Sequence, residues 1–146
     1  MQESSGSADF SRHRGPPASN DMIASMKLLG MLGSVGLFLG VALGAFGAHA
    51  LKAHLSESAL NTFETGVRYQ MYHSFAILIA AFFLDRGNLF QTAGILYVCG
   101  IVLFCFSLYL LAITGIKWLG AITPLGGLCF LAGHLTMALQ FWRLQK

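Results

Sequence analysis

The residues of this chain best suited to chemistry are three histidines. All three are associated with apolar stretches. His49 ends the first apolar stretch, His73 begins the second and His134 lies within the last. An ionisable side chain at membrane depth is costly and usually faces a protein interior or a cavity. Imidazole titrates near neutral pH and suits zinc or copper, so the chemistry to consider is proton relay or metal binding. His134 is expected to bond to Ser107 or Tyr109 on a neighbouring helix.

We expect His49 and His73 to approach each other near one membrane interface, beside polar residues of the second helix. The predicted polar cluster, a candidate ligand or partner site, consists of His49, His73, Tyr69, Glu64 and Arg68. Glu64 and Arg68 have the four-residue spacing of an ion pair on a helix. A neutral histidine also joins helices through both ring nitrogens. Three interpretations therefore stay open: a structural network, a ligand or partner site, and a proton or metal site.

Other kinds of site lack the spacing they require. Cys99, Cys105 and Cys129 contain no Cys-x-x-Cys pair, and His49 and His54 are five residues apart, which suits neither a helix face nor a zinc pair. No nucleophile elbow, phosphate loop or dinucleotide fingerprint is present. We therefore predict no metal site, no cofactor and no enzymatic activity.

Composition indicates that lipid is the solvent around these residues. Hydrophobic residues make up 55% of the 146-residue chain and charged residues 10%, whereas a soluble domain has about 25% charged residues. The charges lie in the N-terminal segment, the connections and the C-terminal end. The net charge of +3 comes without a clustered basic face, so no nucleic-acid partner is expected.

We predict an all-α integral membrane bundle of four helices in up-down-up-down order, preceded by a disordered polar tail at residues 1–21. The predicted helices cover about residues 27–49, 57–84, 90–113 and 118–142. The second begins as an amphipathic extension whose apolar residues, such as Phe63 and Val67, recur at helical spacing. Trp118 and Trp142 bracket the fourth, as interfacial aromatic residues do.

Glycine spacing predicts close packing of the first helix against a neighbour. The stripe consists of Gly36, Gly40, Gly44 and Gly47, and its first three members form two Gly-x-x-x-Gly motifs. Positions four apart share a helix face, and small residues let helices approach closely in lipid. The second helix has a face of small residues that fits this stripe.

The fourth helix contains a predicted kink. Pro124, followed by Gly126 and Gly127, frees a carbonyl four residues back and bends the helix. The bend is either a structural feature or a hinge.

Charge counting predicts the orientation in the membrane. One side holds six basic residues and the other three: Arg12, Arg14, Lys27, Arg86, Arg143 and Lys146, against Lys52, Arg68 and Lys117. Basic residues favour the cytoplasmic side. Both termini are therefore expected on the cytoplasmic side of a bacterial inner membrane, or on the corresponding side of an organelle inner membrane.

Four motifs resemble those of a known family. GAFGAHAL begins at residue 44, YQMYHS at 69, LFCFSLY at 103 and ITPLGG at 122. In this order they resemble the small membrane proteins grouped as domain of unknown function 423, over about residues 27 to 142. Animal mitochondrial proteins of similar length are more distant relatives. The resemblance implies four transmembrane helices and no particular activity. An apolar or aromatic residue is more usual at the position of His134, so the resemblance gives that histidine no role.

The leading functional prediction is a small accessory or scaffold protein that binds a partner in the lipid bilayer. The partner is either a second copy of the chain or a larger membrane complex. The alternative is an oligomeric transporter or channel for protons or a small solute, lined by His49 and His73.

Overall fold

The computed structural model describes residues 19–144, and every regular element in that range is helical. The main helices are α1 (Asn20–His49), α2 (Glu57–Phe82), α3 (Asn88–Thr114) and α4 (Leu119–Leu144). Short 3-10 turns at Leu51–Ala53 and Leu84–Arg86 connect α1 to α2 and α2 to α3. The predicted all-α bundle of four helices is confirmed.

The start of α1 differs from the prediction. α1 begins at Asn20 rather than at residue 27 because Ser19 caps it: the Ser19 hydroxyl oxygen accepts from the Met22 amide at 3.3 Å. Asp21 in the first turn adds a favourable charge at the positive end of the helix dipole. The polar tail predicted for residues 1–21 lies, apart from its last three residues, outside the described part of the chain.

α1 and α2 run antiparallel and approach closely along the glycine stripe. A side chain at Gly36 would meet Ser74, and one at Gly47 would meet the Phe63 ring at 3.1 Å. Because Phe63 already packs on α1, only the first turn or two of α2 precede this contact. The apolar side of the predicted amphipathic extension therefore contacts α1 from Phe63 onward.

α2 and α3 form the centre of the bundle, with α1 packed mainly on α2 and α4 mainly on α3. α3 and α4 are antiparallel: Gly100 faces Phe130, and Gly133 faces Tyr97. The Gln140 side chain near the end of α4 is buried and donates to the Arg86 carbonyl at 3.4 Å, which ties α4 to the α2–α3 connection.

Three helices, α1, α3 and α4, are long and apolar enough to cross a membrane. α2 is more polar than these three helices. Two of its polar side chains, Gln70 and His73, are buried inside the bundle. α1 and α3 run in the same direction, since Leu29 lies against Gly94 at one end and their later residues share a groove. α2 must therefore return across the same layer, with its polar residues Gln70 and His73 turned inward and Phe75 and Phe82 exposed on its outer face.

α3 is not uniformly α-helical. Residues Ile101–Cys105 form a π-helical segment, and Gly126 of α4 lies directly against the Phe104 backbone within it. The absence of a side chain at Gly126 allows this approach. α4 itself continues without interruption through Pro124, which lies in its second turn. The predicted bend and hinge remain predictions.

Candidate functional site

The gap between α2 and α4 holds two imidazole rings surrounded by aromatic residues. His73 of α2 is buried, and its ring stacks on Phe130 of α4 with centroids 3.4 Å apart. Its Nδ1 atom lies 2.8 Å from the Tyr69 carbonyl oxygen. A carbonyl only accepts, so Nδ1 of the neutral ring carries the hydrogen and Nε2 keeps its lone pair.

His134 of α4 is the second ring of this site. Its centroid lies 5.3 Å from that of His73, and its Nδ1 atom lies 2.9 Å from the Tyr97 hydroxyl. The same hydroxyl lies 3.9 Å from the Met137 sulfur. His73, Tyr97 and His134 therefore form one compact group contributed by α2, α3 and α4. We name these three residues the imidazole site.

His134 is exposed on the outside of the bundle, in contrast to His73. It lies eight residues before Trp142, which places it about 12 Å inside that end of the helix. Neither its Nε2 atom nor that of His73 has a hydrogen-bond partner among residues 19–144. The site thus presents unpaired nitrogen at a depth where lipid tails offer no hydrogen bond.

The predicted meeting of His49 with His73 is wrong. Gly36, which faces Ser74, marks the level of His73 on α1, and His49 is thirteen residues further along. That spacing corresponds to about 20 Å along the helix. His49 is instead exposed at the end of α1.

The other predicted cluster members divide between two places. The Tyr69 ring contacts the imidazole site, because it stacks on the His73 ring with centroids 5.9 Å apart. Glu64 and Arg68 line a separate surface groove between α1 and α2. Neither makes an ion pair in the described part of the chain, so the pair expected from their spacing is not formed.

The expected partners of His134 are also wrong. Ser107 bonds instead to Thr123, with the two hydroxyl oxygens 2.8 Å apart. Tyr109 donates to the Gln70 side-chain oxygen at 2.9 Å. The residue that does contact His134 is Tyr97, which lies about three helical turns nearer the start of α3 than Ser107 and Tyr109.

Comparison with known proteins identifies the family of the chain. The model of the family described as "Protein of unknown function (DUF423)" matches residues 43–127. The chain belongs to the DUF423 family. Tyr69, His73 and Tyr97 fall within the matched residues, and His134 follows them.

Relatives of this DUF423 protein are bacterial membrane proteins. The UPF0382 membrane protein YwdK of Bacillus subtilis is 46% identical over 110 residues, covering 73% of this chain and 89% of the relative. A UPF0382 membrane protein of Staphylococcus haemolyticus is 41% identical over 119 residues, covering 81% and 98%. No solved structure matches the chain significantly. The protein is therefore a membrane protein. The names of its relatives state no activity.

Gln70 is a residue that sequence reasoning missed in this DUF423 protein. It is buried, its side-chain nitrogen donates to the Gly36 carbonyl at 2.9 Å, and its oxygen accepts from Tyr109. One amide therefore joins α1, α2 and α3. Gln70 lies between Val67 and Ser74 on the face of α2 that meets the glycines. This position in the sequence could have indicated that its side chain is buried.

Each glycine of the stripe faces a side chain of α2. Their neighbours are Ser74 for Gly36, Met71 for Gly40, Val67 for Gly44 and Phe63 for Gly47. The stripe therefore packs on α2 within the chain, and its Gly44–Gly47 end also borders a surface groove. A docking surface has to be sought elsewhere on the bundle.

Proposed function

We propose that this protein binds a partner within the membrane through the α2–α4 face that surrounds His134, and that it has no catalytic activity of its own. The observation that carries the proposal is the exposed imidazole of His134, whose Nε2 atom lacks a partner in the described chain. Polar groups facing hydrocarbon are costly, whereas a neighbouring helix supplies the missing hydrogen bond.

His134 lies beside an exposed apolar residue of the same helix, since Leu131, one turn away, is 68% exposed. The hydrogen bond between the Tyr97 hydroxyl and Nδ1 of His134 fixes the orientation of the imidazole ring before a partner binds. The glycine stripe, which first suggested a partner surface, does not contribute.

We further propose that the membrane is the bacterial inner membrane and that both termini face the cytoplasm. The excess of basic residues beside the termini and beside the α2–α3 connection supports this orientation. The bacterial membrane relatives support the compartment.

Site-specific photocrosslinking in intact membranes tests the proposal. A photoreactive phenylalanine analogue at Leu131 is expected to give a discrete adduct, because this position borders His134. The same analogue at Leu125, which is also exposed but lies on the side of α4 opposite His134, is the matched control. His134→Leu should abolish the Leu131 adduct. Equal adducts at both positions, or an adduct indifferent to His134→Leu, would contradict the proposal.

A transporter is the second candidate, and the contact between His73 and His134 is the observation that favours it. Two imidazoles beside the Tyr97 hydroxyl resemble a short segment of a proton path. His49 no longer belongs to it. Proton flux in proteoliposomes should then fall in both His73→Ala and His134→Ala, and unchanged flux in both variants would remove this candidate.

A further inference from the structure

A surface groove lies between α1 and α2, near the connection that joins them and away from the imidazole site. It has a volume of about 390 Å³ and is lined by Gly44, Gly47, Phe63, Glu64, Val67 and Arg68. The groove is open at Gly44, which is half-buried, whereas Gly47 is covered by the Phe63 ring, which a Cβ there would meet at 3.1 Å. The groove therefore has an apolar floor and two charged residues on its rim.

The two charges are available for binding. Glu64 and Arg68 are both exposed, and in the described residues neither forms an ion pair. They stand one helical turn apart on α2, which separates them by about 6 Å along the helix axis.

The charges have a defined order across the membrane. Phe63, next to Glu64, packs on Gly47 close to the end of α1, whereas Val67, next to Arg68, packs on Gly44. The carboxylate therefore lies nearer the water, and the guanidinium lies one turn deeper. In a zwitterionic phospholipid the ammonium group likewise lies on the water side of the phosphate.

We propose that this groove binds a phospholipid whose headgroup carries a primary ammonium, as in phosphatidylethanolamine. Arg68 binds the phosphate through its planar donor fork, and Glu64 accepts hydrogen bonds from the ammonium. An acyl chain lies over Gly44 on the apolar floor. The proposal uses no residue of the imidazole site and is independent of the proposed function.

The headgroup chemistry separates this lipid from the other common ones. A phosphatidylglycerol headgroup can place its phosphate on Arg68 but has no cation for Glu64, so the carboxylate stays unpaired. A phosphatidylcholine headgroup has a cation without an N–H donor, so the charge-assisted hydrogen bonds to Glu64 are lost. We expect binding in the order ethanolamine, choline, glycerol.

Native mass spectrometry of the full-length protein, with the three lipids at matched acyl chains, tests this order. Ethanolamine lipid is expected to be retained about tenfold better than glycerol lipid, the size of effect that charged hydrogen bonds give. Glu64→Gln should remove most of that preference. Glu57→Gln, an exposed carboxylate on the same helix outside the groove, should leave it unchanged.

The double variant E64R/R68E reverses the order of the charges and keeps the net charge. It should lose the ethanolamine preference while retaining the helical circular dichroism of the unmodified protein. If it fails to fold, the single variants Glu64→Gln and Arg68→Gln decide. Equal retention of all three lipids, or a preference that survives the reversal, would overturn the proposal and leave only nonspecific annular lipid.

Discussion

The contacts between α1 and α2 differ in kind from the contacts between α2 and α4. Along α1 and α2, glycines bring the backbones together and Gln70 is bonded at both ends of its amide. Between α2 and α4, ring stacking spans a wider gap, and the two imidazoles keep unpaired nitrogen atoms within the described chain. The first interface is complete in one chain, and the second is not.

This difference is the reason for placing the proposed partner at the α2–α4 gap. Small-residue motifs are often taken as signs of association between chains, because they allow close packing in lipid. Here the motif is used within the chain, and the residue left incomplete is an isolated histidine on α4. The following predictions test this contrast from both sides.

Gly36→Leu is expected to have the largest effect, because it inserts a side chain where α1 and α2 are closest. Even its Cβ would meet the Ser74 side chain. We expect the free energy of unfolding to fall by about 3 kcal/mol, the upper range for overpacking. Titration of SDS into mild detergent micelles, followed by circular dichroism, measures this change.

Gly30→Leu is the matched control for that experiment. Gly30 lies on the same helix, and a Cβ there would meet nothing within 4 Å. Its unfolding free energy should stay within about 0.5 kcal/mol of the unmodified protein. Similar losses in the two variants would show that the close approach at Gly36 does not determine the stability of the first interface.

Gln70→Leu should have the next largest effect, because it removes both hydrogen bonds of the amide and leaves the Tyr109 hydroxyl without its acceptor. Hydrogen bonds between membrane helices average about 0.6 kcal/mol, so a loss of about 1–2 kcal/mol is expected. Tyr109→Phe should cost about half as much. A double variant that is fully additive would argue against the direct bond.

The depth of the imidazole site was predictable, although its composition was not predicted. The connections at residues 50–56, 83–87 and 115–118 are short, so each neighbouring pair of helices must be antiparallel and nearly in register. Counting outward from these connections places Tyr97 and a residue close to His134 at the depth of His73. The same counting excludes His49, which adjoins the first connection.

The rotation of each helix could not be predicted in the same way. Whether His134 faces His73 or lipid depends on how α4 packs on α3, and that packing rests on Gly126 against the backbone of a π-helical segment. Nothing in the local sequence of Ile101–Cys105 signals this segment. Helix boundaries and spans follow from local patterns, whereas this site depends on a contact between distant residues.

Tyr97→Phe tests the second region with a smaller expected effect on stability. It removes the bond to His134, and the unfolding free energy should fall by about 0.6 kcal/mol. The released imidazole should also weaken the photocrosslink at Leu131. Tyr69→Phe is the control, because the described contacts of that side chain are ring contacts that phenylalanine keeps. A larger loss of stability in Tyr69→Phe would contradict the assignment of the site.

Ser74→Ala should have the smallest effect, and its sign is informative. The Ser74 hydroxyl is buried between α1 and α2 and has no hydrogen-bond partner among residues 19–144, so the folded state carries its desolvation cost. Removing the hydroxyl should leave stability unchanged or raise it by up to about 0.5 kcal/mol. Ser107→Ala is the matched comparison, because that buried hydroxyl bonds to Thr123 and to the Phe104 carbonyl, and its removal should destabilise the bundle. If Ser74→Ala destabilised as much as Ser107→Ala, the hydroxyl would have a partner across the interface, and the α1–α2 contact would depend on polar bonding as well as on glycine packing.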